Sequence, residues 1–378
     1  MADATEDDFA FNLTPRSAAA GETPPTRAEM EVYVNAVRTM AAAGGGPEPI
    51  QHMVIDAVGE AYVGRRHDYP WRTVEPEELG EVTADRTETF RFTLFQKMSL
   101  VSLVAQEMPP DVPATLGRYA AALGLVENMA EWHAKCGGQS FDALMLDFAR
   151  NGYSGGFMER SRPVLRTDAD LGDGWATVED DERLAQEWDA LERCPDGSIG
   201  RTVFDFYVSR NFSFPGRPGS APPLLAQHDW VHVLGDYGTT LENEMEVFAL
   251  ISSADVNPQS FSLLAMVIGL FGTGRVPSAA GLFEADRGHL DEAVSVRVAE
   301  AMARGARLHP GDDLPRALLE VDWFALSDQP LADVQARFGI EPKTGRATAA
   351  GSVGPWEEAG FSAYQIEHGD LSLISRYS

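Results

Sequence analysis

The chain has 378 residues, 44% of them hydrophobic, which is long enough for two packed domains and apolar enough to fill real cores. Its 58 acidic against 30 basic residues leave a net charge of -28. That balance works against a nucleic-acid backbone or an anionic membrane surface, both of which are held by clustered Lys and Arg.

The opening MADATEDDFAFN has neither the basic start nor the apolar core of a secretory signal, and residues 1–25 are too poor in large apolar groups to pack, so they are expected to be disordered. The two cysteines, Cys136 and Cys194, form no CxxC pair and read as reduced structural thiols of a cytoplasmic protein. Thr26-x-x-Glu29 is a capping box, and Met30, Tyr33, Val34, Val37 and Met40 follow it at helical spacing until Gly44-Gly45-Gly46-Pro47. A second helix is predicted from Ile50 to Val63, and His67 to Asp85 reads as a linker or irregular cover. The apolar run from Thr89 to Gln106 predicts a third helix, stopped by Met108-Pro109-Pro110. Further helices are predicted over Thr115 to Leu123, Val126 to Lys135 and Phe141 to Arg150.

MSLVSLVAQEMPPDVPATLGRYAAALGL and FDALMLDFARNGY, with their Pro-rich turn, resemble the tellurite-resistance B-like helical domain over about 85–160. That resemblance implies an interaction or regulatory module for an amino-terminal domain spanning 26–165. An acidic stretch places the boundary near 165–178, and Leu184, Trp188 and Leu191 then start a second domain, 178–342. No alternating β pattern appears in it, and residues 343–378 read as a tail carrying Trp356, Phe361 and Tyr364. The fold class is therefore all-α, with two helical domains. The most apolar stretch, Leu263 to Phe271, is much shorter than the roughly 20 residues needed to span a bilayer. Together with Met245, Val247, Phe248 and Leu250 it reads as core packing or as the wall of an apolar channel.

The run HDWVHVLGDYGTTLENE carries the chemistry. His228 and His232 are four apart, so on a helix their imidazoles share one face and can meet one ion. Gly235 and Gly238 interrupt that helix, and Thr239-x-x-Glu242 offers a capping box for a second one, whose turn-back would bring Glu244 to the histidines. The metal site is thus expected between two consecutive helices of the second domain. Two neutral imidazoles and two carboxylates, with Asp229 as the fourth group, suit a divalent ion: zinc first, with iron or manganese as alternatives. Four protein ligands also suit a closed structural site, and that alternative stays open.

His-Asp-x-x-His, eleven residues, then Glu is the signature of the coenzyme Q (ubiquinone) biosynthesis protein 4 family, and this chain resembles it over about 190–342. Pro195 to Phe212 is similar to the family's Pro-x-Gly-x-Leu-Gly-Arg segment, and Leu319 to Pro342 to its closing segment with Asp-Trp and Pro-Leu elements. The resemblance implies His228, Asp229, His232 and Glu244 as metal ligands and an all-helical homodimer with a channel for a polyprenyl tail. It also implies a quinone-type, prenylated small molecule as ligand and other biosynthetic enzymes as partners. The implied activity is oxidative decarboxylation, replacing a ring carboxyl by hydroxyl, with a non-catalytic metal-stabilised scaffold or lipid carrier as the alternative. From the cysteines and the lack of a secretory signal, the expected place is the cytoplasm, or the inner face of the membrane as a peripheral protein. The chain departs from the pattern in the 170 or so residues preceding the match and in Asp236, which stands where the family is less polar. Arg201 and Arg210 are candidates to hold a substrate carboxylate, with pairing to nearby acids as the plainer reading.

Overall fold

The computed structural model describes residues 23, 25–43, 45–63, 68–105, 109, 111–125, 164–166, 180–221, 223–255, 258–274 and 288–377. All of 1–25 but residues 23 and 25, where disorder is expected, the helices expected over 126–135 and 141–150, and most of the 165–178 boundary fall outside these residues. Among them are sixteen α-helices and no strand, only an isolated bridge between Ser198 and Pro330. The protein is all-α.

The amino-terminal helices are α1 (Arg27–Ala41), α2 (Pro49–Val63), α3 (Pro76–Val82), α4 (Glu88–Leu103) and α5 (Asp111–Ala122). The Thr26 capping box forms with both reciprocal bonds. Helix α3 lies inside the stretch expected to be irregular. It starts on Pro76, whose missing N–H costs nothing at a first turn, and buries Leu79, while Arg72 ties it down through Glu78.

The remaining helices are α6 (Glu182–Ala190), α7 (Ile199–Arg210), α8 (Pro223–Gly235), α9 (Leu241–Ala254), α10 (Pro258–Val267) and α11 (Glu292–Ala306), then five short ones: α12 (Trp323–Leu326), α13 (Leu331–Phe338), α14 (Gly345–Ala349), α15 (Ala363–His368) and α16 (Ile374–Tyr377). Helix α10 passes into a π-helical turn over Ile268–Gly272. Leu263, Leu264, Val267, Ile268 and Phe271 are all buried there, as are Met245, Val247, Phe248 and Leu250 on α9, so both apolar stretches lie in the core.

Helix α9 packs along α10 and α11, and α11 packs along α2, so the amino-terminal helices lean directly on the second half of the chain. The α9–α11 crossing is close because Gly305 has no side chain: a Cβ there would meet the Leu250 carbonyl oxygen at 2.2 Å. One apolar core runs from Met30 on α1 to Phe338 on α13. Helix α8 lies within it, with Trp230, Val231, Val233 and Leu234 buried around its circumference. Trp230 stacks on Trp323 with centroids 6.0 Å apart, and the Gln227 amide donates to the Val321 carbonyl at 3.2 Å.

The core also encloses a cation. Lys97 on α4 is part-buried with its ammonium 4.2 Å from the centroid of the Tyr62 ring, and loss of water pushes its amine down to about 7. An unfolded lysine holds its proton up to about pH 10.5, so at this residue the unfolded chain binds more protons between pH 7 and 10.5, and the contribution of Lys97 to stability rises with pH in that window. Lys97→Met is expected to remove this alkaline rise, which melting temperatures at pH 7, 8 and 9 would show. A variant whose pH dependence matches the wild type contradicts the assignment.

Candidate metal centre

Helices α8 and α9 are joined by the turn 236–240 and form a hairpin that brings the four candidate ligands together. The reversal uses Asp236 in the left-handed conformation, φ 59°, where a short polar side chain is among the few tolerated. Lys343 holds this residue through its carboxylate at 3.1 Å and its carbonyl at 2.7 Å, which gives a local role to the residue that departs from the family pattern. Helix α9 begins one residue later than the expected capping box. Its N-cap is Thr240, whose hydroxyl accepts from the Asn243 amide, and Glu242 instead meets His289 at 2.9 Å. Thr239 is drawn away from the cap by other partners.

Nitrogens of His228 and His232 and a carboxylate oxygen of Asp229 all lie within 4.8 Å of one another. Glu244 reaches in from α9 with Oε2 3.3 Å from His228 Nε2 and Oε1 3.3 Å from His232 Nε2. Asp229 Oδ1 lies 3.6 Å from His228 Nε2, and its Oδ2 accepts a hydrogen bond from the Tyr207 hydroxyl at 2.5 Å. Each imidazole is oriented by its other nitrogen: His228 Nδ1 meets the Leu225 carbonyl, and His232 Nδ1 the Gly238 carbonyl at 2.7 Å. A carbonyl oxygen only accepts, so both Nδ1 atoms carry hydrogen, and in the neutral rings both Nε2 atoms present lone pairs to the Glu244 carboxylate.

Acceptors facing acceptors repel unless a cation lies among them. His232 Nε2 is fully buried, makes no hydrogen bond and faces the Glu244 carboxylate, which leaves it free to bind an ion. The donor set of two imidazoles and two carboxylates therefore fits a divalent ion in chemistry and in charge. Without metal, protons must do this work. Burial opposes a charge on His228, but Asp229 and Glu244 outweigh it and push the imidazole up to about 9. Burial raises the Asp229 carboxyl, while for Glu244 the two histidines overcome burial and hold the carboxyl far below the ordinary carboxylate range.

The surroundings are apolar. Phe248 stacks on His228 with centroids 5.0 Å apart, and Phe206 on His232 at 5.7 Å. The side chains of His228 and Glu244 retain 13% and 17% exposure, whereas His232 has none, so the site opens on one side only. Tyr207 is a member of the site that the sequence reading does not contain, since no helical spacing links it to Asp229, 22 residues away.

The other candidates are engaged by protein partners rather than turned toward the ligands. Arg201 pairs with Asp205 at 3.0 Å and donates to the Glu192 carbonyl. Arg210 is fully buried, with its nitrogens committed to Thr239, Ser209 and the Pro355 carbonyl. Glu246, on the same helix as Glu244, is buried against Arg297 at 2.6 Å and receives the Asn243 amide. No family model, no curated protein and no solved structure matches this chain.

The raised pKa of His228 carries a sign. In the metal-free protein its stabilising effect is complete below the unfolded value of 6.5 and is lost as pH rises through about 9. A bound ion requires the neutral ring, so its effect grows over the same interval. Calorimetry with chelator on Lys97→Met, in which the opposing lysine effect is gone, should therefore show stability falling from pH 6.5 to 9, while the increase in Tm on adding zinc becomes larger. A zinc-induced shift that shrinks with rising pH would contradict this arrangement.

Proposed function

We propose that this protein holds a divalent metal through His228, Asp229, His232 and Glu244, with zinc first and iron or manganese as alternatives. With that ion bound, the protein would carry out oxidative decarboxylation of a hydrophobic, quinone-type and prenylated aromatic acid. The observation that carries the metal reading is the buried, unpartnered His232 Nε2 facing a carboxylate. The reaction rests on the resemblance to the coenzyme Q biosynthesis protein 4 family. It is supported by the packing of the three resembling segments on one another: α7 supplies Tyr207 to Asp229, and the segment from Leu319 receives Gln227 and sends Gln335 to the Leu234 carbonyl.

When bound, the ion would supply Lewis acidity toward a substrate oxygen. The chain's own residues do the rest. The Leu225 and Gly238 carbonyls set the imidazole tautomers, Tyr207 orients Asp229, and Phe206 and Phe248 keep water from the inner side. The partly exposed edge formed by His228 and Glu244 is where a substrate would arrive. Added hydroxyl requires an oxidant such as dioxygen. The reading includes a homodimer, contact with other biosynthetic enzymes, and a cytoplasmic place or a peripheral one at the inner membrane face; no helix among the described residues is long and apolar enough to cross a membrane.

A second reading, a metal-stabilised scaffold or carrier of a lipid-like intermediate, is favoured by the burial of His232 and Asp229, because four protein ligands complete a tetrahedron. His232→Ala separates the two. Loss of metal and of turnover on a prenylated aromatic acid, with the helical circular dichroism retained, supports the enzyme. Unfolding on metal removal, with no turnover in the wild type, supports the scaffold. Freshly purified protein containing no metal by elemental analysis refutes both readings.

A further inference from the structure

The tail, residues 343–377, is wound back over the hairpin that carries the ligands. Its path begins with Lys343 on Asp236, passes Val353 and Gly360 at the turn, and reaches α7, where the Asp370 amide donates to the Ser209 carbonyl and Arg376 and Tyr377 meet the buried Asp205 at 2.8 and 2.7 Å. At the turn the two backbones touch. The Gly238 amide donates to the Val353 carbonyl at 3.0 Å and the Thr239 amide to the Gly360 carbonyl at 2.7 Å. A Cβ on Gly238 would lie 2.5 Å from the Gly360 Cα, so glycine is required for this approach.

The peptide unit between Gly238 and Thr239 joins this contact to the ligands. It is planar and trans, so its N–H and C=O point in opposite directions and cannot be aimed separately. The N–H is held by Gly360 of the tail, and the C=O accepts from Nδ1 of His232 at 2.7 Å. Gly360 carbonyl, peptide 238–239 and imidazole therefore form one hydrogen-bonded chain, in which each bond polarises the next. Arg210 locks the same place from beneath. Its guanidinium lies between the rings of Phe206 at 3.9 Å and Phe361 at 4.1 Å, donates to the Thr239 hydroxyl at 3.0 Å and to the tail's Pro355 carbonyl at 2.6 Å. The Thr239 hydroxyl in turn meets Gln365 Oε1 at 2.7 Å.

We propose that the tail is a positioning element of the metal centre, acting through Gly360 and the 238–239 peptide to hold the His232 imidazole in its ligating orientation and tautomer. This rests on the metal-binding reading above but concerns a part of the chain outside the segments that resemble the biosynthesis family. A tail that merely stabilises the fold would be coupled to the ion only through global unfolding, equally with the rest of the core; a positioning tail must be coupled to it locally as well, and the coupling is reciprocal.

The test uses the full chain and Zn²⁺. Gly360→Ala, whose Cβ would meet the Gly354 carbonyl oxygen at 2.3 Å, is expected to lift the tail and weaken zinc affinity by about 10–100-fold in competition with a chromophoric chelator, the usual loss when support behind a ligand is removed. Leu79→Ala, a cavity variant in the amino-terminal half, is expected to keep the wild-type Kd. In the wild type, zinc should slow hydrogen exchange in residues 352–366 more than in helix α1, a comparison that decides the matter even if Gly360→Ala does not fold. Unchanged affinity in Gly360→Ala, equal weakening in Leu79→Ala, or tail exchange slowed no more than that of helix α1 overturns the proposal while leaving the metal site standing. A wild type that takes up no zinc instead overturns the metal-binding reading, and the tail proposal with it.

Discussion

Two imidazole nitrogens and a carboxylate face each other across 3.3 Å in a pocket nearly sealed from water, and each nitrogen is turned that way by a carbonyl bound to the far side of its ring. Such an arrangement repels itself unless protons or a cation are shared among its members, because a low-dielectric interior cannot screen bare charges. Much of the architecture around α8 and α9 can be understood as what holds that convergence in place. Tyr207 restrains Asp229, α11 is drawn close enough to fix α9 by the absence of a side chain at Gly305, and the Trp230–Trp323 stack fixes α8.

The hairpin turn is where these constraints meet. A helix that ends leaves carbonyls without partners, and here they are satisfied from other parts of the chain. Arg304 of α11 donates to the Gly235 carbonyl at 2.5 Å, Gln335 of α13 to the Leu234 carbonyl and Lys343 to the Asp236 carbonyl. Each belongs to a segment remote in sequence, so the hairpin has little freedom to open while the rest of the core is intact. A rigid scaffold of this kind suits both a catalytic and a structural ion, and the difference between them rests on chemistry at the partly exposed His228–Glu244 edge.

The helices of the core follow from periodicity and caps. The stripe from Met30 to Met40 and the box at Thr26 produced the first helix, and the spacing of Leu184, Trp188 and Leu191 marked the short helix before α7. Where the reading and the structure part, a longer-range partner prevails. Thr239 loses the role of cap to Thr240 because Arg210 and Gln365 engage its hydroxyl. Glu246 is an acid on a helix, indistinguishable by residue type from Glu242 and Glu244, until Arg297 from another helix makes its burial tolerable. The helix at Pro76–Val82 is too short for a periodic signal and is stabilised by packing of Leu79 and by Arg72.

What the sequence by itself determined is the all-α class and the identity of four converging groups, since i, i+4 spacing on one helix and a glycine-broken turn into the next are local properties of the chain. Only the tertiary structure decided how those groups are held: the phenol behind Asp229, the buried guanidinium beneath Thr239, and the carboxy-terminal segment laid against Gly238. These contacts join residues separated by 22, 29 and more than 100 positions, and no local periodicity encodes which backbone carbonyl will be left free to receive an imidazole.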